Sequence, residues 1–180
     1  MANIDFTPIK TVYNGYLFKS KLEAKWAVFF DNMGFVYEYE PEAFGVGDGW
    51  YTPDFYIPEM YLGSTVFRGV YAEIKPSSWD CELEYYVKLS RAMRNKILVL
   101  FAGEPYDFAI PYWESYGHAY RVCPEWDKHQ TLAYCGECND FGVQYLEESR
   151  KCCPHCDSMR NGPTMLNAAI DARQKKFFHK

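Results

Sequence analysis

The sequence predicts a mixed α/β fold, a sheet with a helix packed on each side, carrying a small cysteine-rich module. Three observations predict it. Apolar residues between Ser20 and Gly34 recur at helical spacing, short runs between residues 35 and 101 alternate or concentrate apolar residues as strands do, and five of the seven cysteines fall between Cys135 and Cys156. With 180 residues, 48% hydrophobic and 19% aromatic, the chain has ample apolar mass for a packed core, and its composition is not that of a disordered one.

Each element has a local reason. Leu22, Trp26, Phe29, Phe30 and Met33 form one stripe of a helix, with Ser20 placed to cap its start and Gly34 to stop it. Residues 35–40 alternate large and polar side chains ahead of Pro41 and read as a strand. Trp50-Tyr51-Thr52 and Phe55-Tyr56-Ile57 read as strand halves flanking Pro53-Asp54, and the glycine-rich segment 45–49 before them has the composition of a hairpin turn. Residues 63–69 read as a loop and 70–75 as a further strand. Tyr85, Tyr86, Leu89, Ala92 and Met93 mark a second amphipathic helix, leading to Ile97-Leu98-Val99-Leu100-Phe101, an unbroken apolar run of the kind found in strands buried on both faces. Residues 105–126 carry no clear period and read as peripheral strands and loops. Residues 164–178 read as a closing helix, with Met165, Ala168, Ala169 and Ala172 on one side and Arg173, Lys175 and Lys176 near its end.

The net charge of −5 argues at first against a polyanionic partner. The acidity is local, however: residues 35–60 hold six acids and no base, whereas residues 157–180 hold five bases and two acids. The bland account of the acidic stretch is a solvated face; the sharper one is a field that attracts divalent cations. No apolar run approaches the roughly 18 residues that span a bilayer, and the first residues lack signal-peptide features. The expectation is a soluble cytoplasmic protein with no membrane partner.

Asp54 lies between two apolar strand halves, and Glu73 and Lys75, two apart on one strand, project to the same face of the sheet. Two carboxylates on adjacent strands with an ammonium beside them are what is needed to hold Mg²⁺ (or Mn²⁺) and position a water against a phosphodiester. The same residues also fit an ordinary Asp54–Lys75 salt bridge. Glu23, an acid in the middle of the first helix beside Ala27 and Phe30, adds weight to the first account, because a glutamate there is not fully solvated.

Gly15 and Phe18, residues 21–27 (KLEAKWA), Tyr37-Glu38-Tyr39-Glu40-Pro41, Tyr51-Thr52-Pro53-Asp54-Phe55 and Glu73-Ile74-Lys75 together resemble the PD-(D/E)XK nuclease superfamily, in particular its small phage and mobile-element members. The resemblance covers most of residues 11–101. It implies a restriction-endonuclease-like core in which Asp54, Glu73 and the Ile74 carbonyl hold Mg²⁺, Lys75 orients or activates the attacking water, and Glu23 holds a metal directly or through water. It also implies products with a 5′-phosphate, and it extends to the Ala- and Arg-rich closing helix.

Cys135-Gly136-Glu137-Cys138 and Cys153-Pro154-His155-Cys156 are two C-x-x-C knuckles separated by fourteen residues, a pattern in which four thiolates close a structural Zn²⁺ site. Cys152 is an alternative ligand to Cys153. A redox pair and a Cys₃His site using His155 compete with this reading, but neither knuckle sits between a strand and a helix as redox motifs do. The expected organisation is a nuclease core over 1–128, a zinc ribbon over 129–161 and a basic helix over 162–180. Lys21, Lys25, Arg173 and Lys176 are the candidate nucleic-acid contacts. The expected activity is a Mg²⁺-dependent deoxyribonuclease acting on DNA, with RNA left open and a homodimer one way to cut both strands. A non-catalytic nucleic-acid- or partner-binding protein on the same scaffold, and a transposase-type endonuclease subunit, are the alternatives.

Overall fold

The first helix, α1 (Lys21–Met33), forms where the stripe predicts it, and both ends are capped by the expected residues. Ser20 is extended, and its Oγ accepts the Glu23 N–H at 3.1 Å. Gly34 takes the left-handed conformation (φ 77°), which a glycine reaches without strain, and the Phe35 N–H closes back on the Phe30 carbonyl at 2.9 Å. Trp26, Phe29 and Phe30 are fully buried. Trp26 stacks on Phe101 with ring centroids 4.7 Å apart and donates its indole N–H to the Gly103 carbonyl at 3.0 Å, so its polar atom is satisfied inside the core.

This computed structural model describes residues 9–62, 65–76, 85, 88–89, 92–93, 96–109, 118–122, 129–134, 141–145 and 163–177. Ahead of α1, β1 (Thr11–Tyr13) and β2 (Tyr16–Phe18) form a hairpin. After it come β3 (Glu38–Tyr39) and the small hairpin of β4 (Phe44–Val46) and β5 (Gly49–Tyr51). Then follow the long hairpin of β6 (Phe55–Leu62) and β7 (Thr65–Lys75), strand β8 (Ile97–Ala102) and a short helix α2 (Pro105–Ala109). Strands β9 (His118–Val122), β10 (His129–Tyr134) and β11 (Phe141–Tyr145) precede the last helix, α3 (Pro163–Gln174). The fold is therefore α/β with a mixed sheet in the order β11-β10-β9-β8-β7-β6-β3. Among the described strands, β7–β8 and β11–β6 are parallel and the other pairs antiparallel. The second of these closes the sheet on itself: β3 covers one edge of β6 at Phe55–Tyr56, and β11 covers the same edge further along at Tyr61–Leu62.

Alternation in the central strands sorts the two faces. Val70, Ala72 and Ile74 join Phe55, Ile57, Val99 and Phe101 beneath α1, and Ala168, Ala169 and Ala172 of α3 pack into the same cluster. On the other face Tyr71, Leu98 and Leu100 pack with Leu89 and Met93, whose helical bond from the Met93 N–H to the Leu89 carbonyl measures 2.9 Å, and with Phe44, Val46 and Tyr51 of the small hairpin. That hairpin is pinned by Lys96, which lies over the rings of Phe44 (4.9 Å) and Tyr71 (5.0 Å) and pairs with Glu42, which also accepts the Tyr71 hydroxyl. Glu73 and Lys75 follow Tyr71 at strand spacing and leave the sheet on this second face.

Several boundaries differ from expectation for local reasons. The strand expected over 35–40 shrinks to Glu38–Tyr39; at its far end Glu40, with a positive φ of 48°, turns the chain out of the sheet. Residues 65–69, expected as loop, are strand paired with β6, in keeping with the β-branched and aromatic Thr65, Val66 and Phe67. The closing helix ends at Gln174, not at residue 178. Strands β10 and β11 fall within the stretch expected as a separate ribbon, yet they hydrogen-bond to β9 and β6 and continue the core sheet. Cys135, Cys138, Cys152, Cys153 and Cys156 all lie outside the described residues.

Candidate functional site

The site lies where β7 and β8 end. The Gly103 N–H donates to the Lys75 carbonyl at 2.8 Å, and α1 reaches this end through Trp26 and through Lys25, which pairs with Glu104. Asp54 immediately precedes β6, and the pairing of Phe55 with Ala72 brings it opposite Glu73. Both carboxylates are buried, with 8% and 4% of their surface exposed. Asp54 Oδ2 accepts the Ile74 N–H at 2.8 Å. Since a strand residue's N–H and C=O leave the same edge, the Ile74 carbonyl opens toward Asp54 as well. Lys75 Nζ lies 2.6 Å from Glu73 Oε1, while Glu73 Oε2 is buried with no hydrogen-bond partner among the described residues. Burial pushes the Asp54 carboxyl well above the usual range, the charges of Glu73 and Glu23 push it further, and the Ile74 amide and Lys75 only partly offset this.

This arrangement is deficient in positive charge. Among the described residues the two buried carboxylates have one ammonium in contact, Lys75 on Glu73, and one carboxylate oxygen has no donor, a costly state for the protein alone. The oxygen-only donor set of Asp54, Glu73 and the Ile74 carbonyl suits a hard divalent cation such as Mg²⁺ or Mn²⁺.

Glu23 is close enough for its charge to act on Asp54, but its carboxylate is engaged by the protein. Oε1 accepts the Ser20 hydroxyl at 2.6 Å; Oε2 accepts the Tyr39 hydroxyl at 2.6 Å and the Lys19 N–H at 3.1 Å. With Ser20 accepting the Glu23 N–H in return, the pair caps the start of α1 in a variant of the capping box, the carboxylate taking the Ser20 hydroxyl and the Lys19 N–H and not the N-cap N–H. No group of three His, Cys, Asp or Glu side chains among the described residues is gathered to hold a metal ion, so Asp54 and Glu73 meet without a third carboxylate at ligand distance. Burial, then the Glu23 bond, pushes the Tyr39 hydroxyl strongly up, so it stays a proton donor to Glu23.

The proposed nucleic-acid contacts divide. Lys21 is exposed at the start of α1. Lys25 is not a surface cation: it is buried and paired with Glu104, because its place on the helix flank faces the turn after β8. Arg173 lies 4.5 Å over the Tyr106 ring, and Lys175, two residues further, lies 5.4 Å over Tyr13. These ring contacts fix the end of α3 on α2 and the first hairpin, and Lys176 beside them is exposed. Sequence reasoning counted Tyr39 within the Tyr37–Pro41 motif but foresaw neither its bond to Glu23 nor the pairing of Lys19 with Glu40. The Ser20-x-x-Glu23 spacing was the one available signal that Glu23 serves the helix start.

Compared with known proteins, the chain matches no family model, no curated protein and no solved structure.

Proposed function

We propose that the protein is a Mg²⁺-dependent deoxyribonuclease of the PD-(D/E)XK, restriction-endonuclease-like type, hydrolysing DNA to 5′-phosphate products. The observation that carries this reading is the buried Asp54–Glu73 pair, with Glu73 Oε2 unpartnered among the described residues and Lys75 on Glu73 Oε1. Asp54, Glu73 and the Ile74 carbonyl would hold the ion, which when bound supplies Lewis-acid stabilisation of charge on the phosphate and lowers the pKa of water. Lys75, half-buried and 2.6 Å from Glu73, orients the attacking water and stabilises charge growing on the phosphate oxygens. Glu23 acts as a positioning residue: it fixes Lys19, Ser20 and Tyr39 around the start of α1 and adds negative charge beside Asp54. The paired knuckles Cys135/Cys138 and Cys153/Cys156 support a structural Zn²⁺ in the same chain.

The test is cleavage of duplex and single-stranded DNA with Mg²⁺ or Mn²⁺. Activity is expected to vanish in EDTA, and to fall at least about 100-fold in Asp54→Asn and in Lys75→Ala, the scale on which removal of transition-state charge stabilisation acts. Undiminished cleavage by both variants would remove the proposed site.

A further inference from the structure

Beside the two carboxylates stands a cation that the proposed chemistry does not use. The Lys19 backbone N–H donates both to Glu23 Oε2 at 3.1 Å and to the Tyr39 hydroxyl at 2.9 Å, so its Cα is fixed by the network that flanks the site. Its side chain is 62% exposed and pairs with Glu40. Glu40 is tied to the same place: its N–H donates to the Asp54 carbonyl at 2.9 Å, and its backbone holds a left-handed φ of 48° immediately before Pro41. A non-glycine residue held there stores strain, which the surroundings must balance. What that backbone achieves is to present the Glu40 carboxylate to Lys19.

The neighbouring cations are occupied differently. Lys75 is drawn to Glu73 and Lys25 is buried on Glu104, whereas the Lys19–Glu40 pair is solvent-facing and contributes little to stability. A pair of that kind exchanges partners readily when a more concentrated anionic surface arrives. The fields of Asp54 and Glu23 also reach the Lys19 ammonium, although Glu40 is the main cause of its raised pKa.

Building on the nuclease reading, we infer that Lys19 is a backbone-phosphate contact of the bound DNA, held ready by Glu40 and handed from that carboxylate to a phosphate beside the one under attack. Lys19 thus determines binding and register, and Lys75 the chemical step. Glu40, relieved of its partner, remains fixed by its bond to the Asp54 carbonyl.

The experiment is binding of the full-length, zinc-loaded protein to fluorescein-labelled duplex DNA, followed by anisotropy without added Mg²⁺ or Mn²⁺ across a potassium chloride series, so that no cleavage intervenes and the structural zinc is kept. Lys19→Met is expected to weaken binding roughly five- to ten-fold near 0.1 M salt and to reduce the slope of log K against log salt by about 0.9, the contribution of one phosphate contact. Lys19→Arg keeps the slope. Glu40→Gln, which releases the ammonium, binds more tightly than the wild type with the slope preserved, and this gain disappears in the Lys19→Met background, a result that general relief of charge repulsion does not produce. Lys96→Met, which breaks an exposed pair of the same kind with Glu42, leaves the slope unchanged. In Mg²⁺ the Lys19→Met loss appears in KM and not in kcat. A wild-type slope and affinity in Lys19→Met would overturn this inference while leaving the Asp54 and Lys75 results standing. Absence of DNA binding by the wild type itself would overturn the nuclease reading, and Lys19 with it.

Discussion

At the scale of single residues, Asp54 is ionised at a cost. Its carboxyl is raised from the ordinary 3.8, so the folded state holds the proton more tightly than the unfolded chain does. The sign follows: stability falls as pH rises from about 3.8 through the raised value, the penalty is complete above it, and below 3.8 it is absent. Asp54→Asn keeps an oxygen for the Ile74 N–H without the charge. Without added Mg²⁺ or Mn²⁺ the variant is expected to melt above the wild type at pH 8, with the gap closing as pH falls toward 4; a gap that widens on acidification would contradict the assigned direction. Glu40 is the second such residue. Glu40→Val places a β-branched side chain at φ 48° and should cost about 1–3 kcal/mol by urea titration, whereas Glu40→Gly relieves the backbone. The shared face of Glu73 and Lys75 was legible from the two-residue period of a strand. The burial of Lys25 was not, because nothing local to α1 announces that Glu104 lies opposite its flank.

At the scale of elements, α1 was legible at both ends, since its stripe, Ser20 and Gly34 are all local signals. Ser20 accepts the Glu23 N–H and donates to the Glu23 carboxylate, so Ser20→Ala should cost about 1–2 kcal/mol and also loosen Glu23 beside Asp54. The measurable outcome is a lower denaturation midpoint together with reduced DNA cleavage, while Ser20→Thr or Ser20→Asp, each able to cap, recovers most of the stability. The β1–β2 hairpin escaped the reading of periodicity because three-residue strands have almost none. Its signal was the turn itself: Asn14 and Gly15, with φ of 46° and 84°, are the dipeptide that a two-residue hairpin favours. The extension of β7 back to Thr65 was hidden by glycines at positions 63 and 69, although Gly69 (φ 74°) sits inside the strand against the Tyr56 ring.

At the scale of the whole molecule, the α/β class was legible from the order of elements, but the closure of the sheet was not, because the pairing of β11 with β6 joins residues with no local pattern in common. Of the proposed zinc ligands, Cys135 and Cys138 lie between β10 and β11 in the chain, and Cys153 and Cys156 follow β11. Substituting Cys135→Ser or Cys156→Ser in the full chain is expected to abolish stoichiometric zinc by elemental analysis, and an unchanged zinc content would reject these ligands. The shared edge of β6 has a further consequence for biosynthesis. As the chain leaves the ribosome, β3 is already available to cover Phe55 and Tyr56, but Tyr61 and Leu62 wait for Gly142 and Val143, so the far half of that strand stays an open template until the last third of the protein is made.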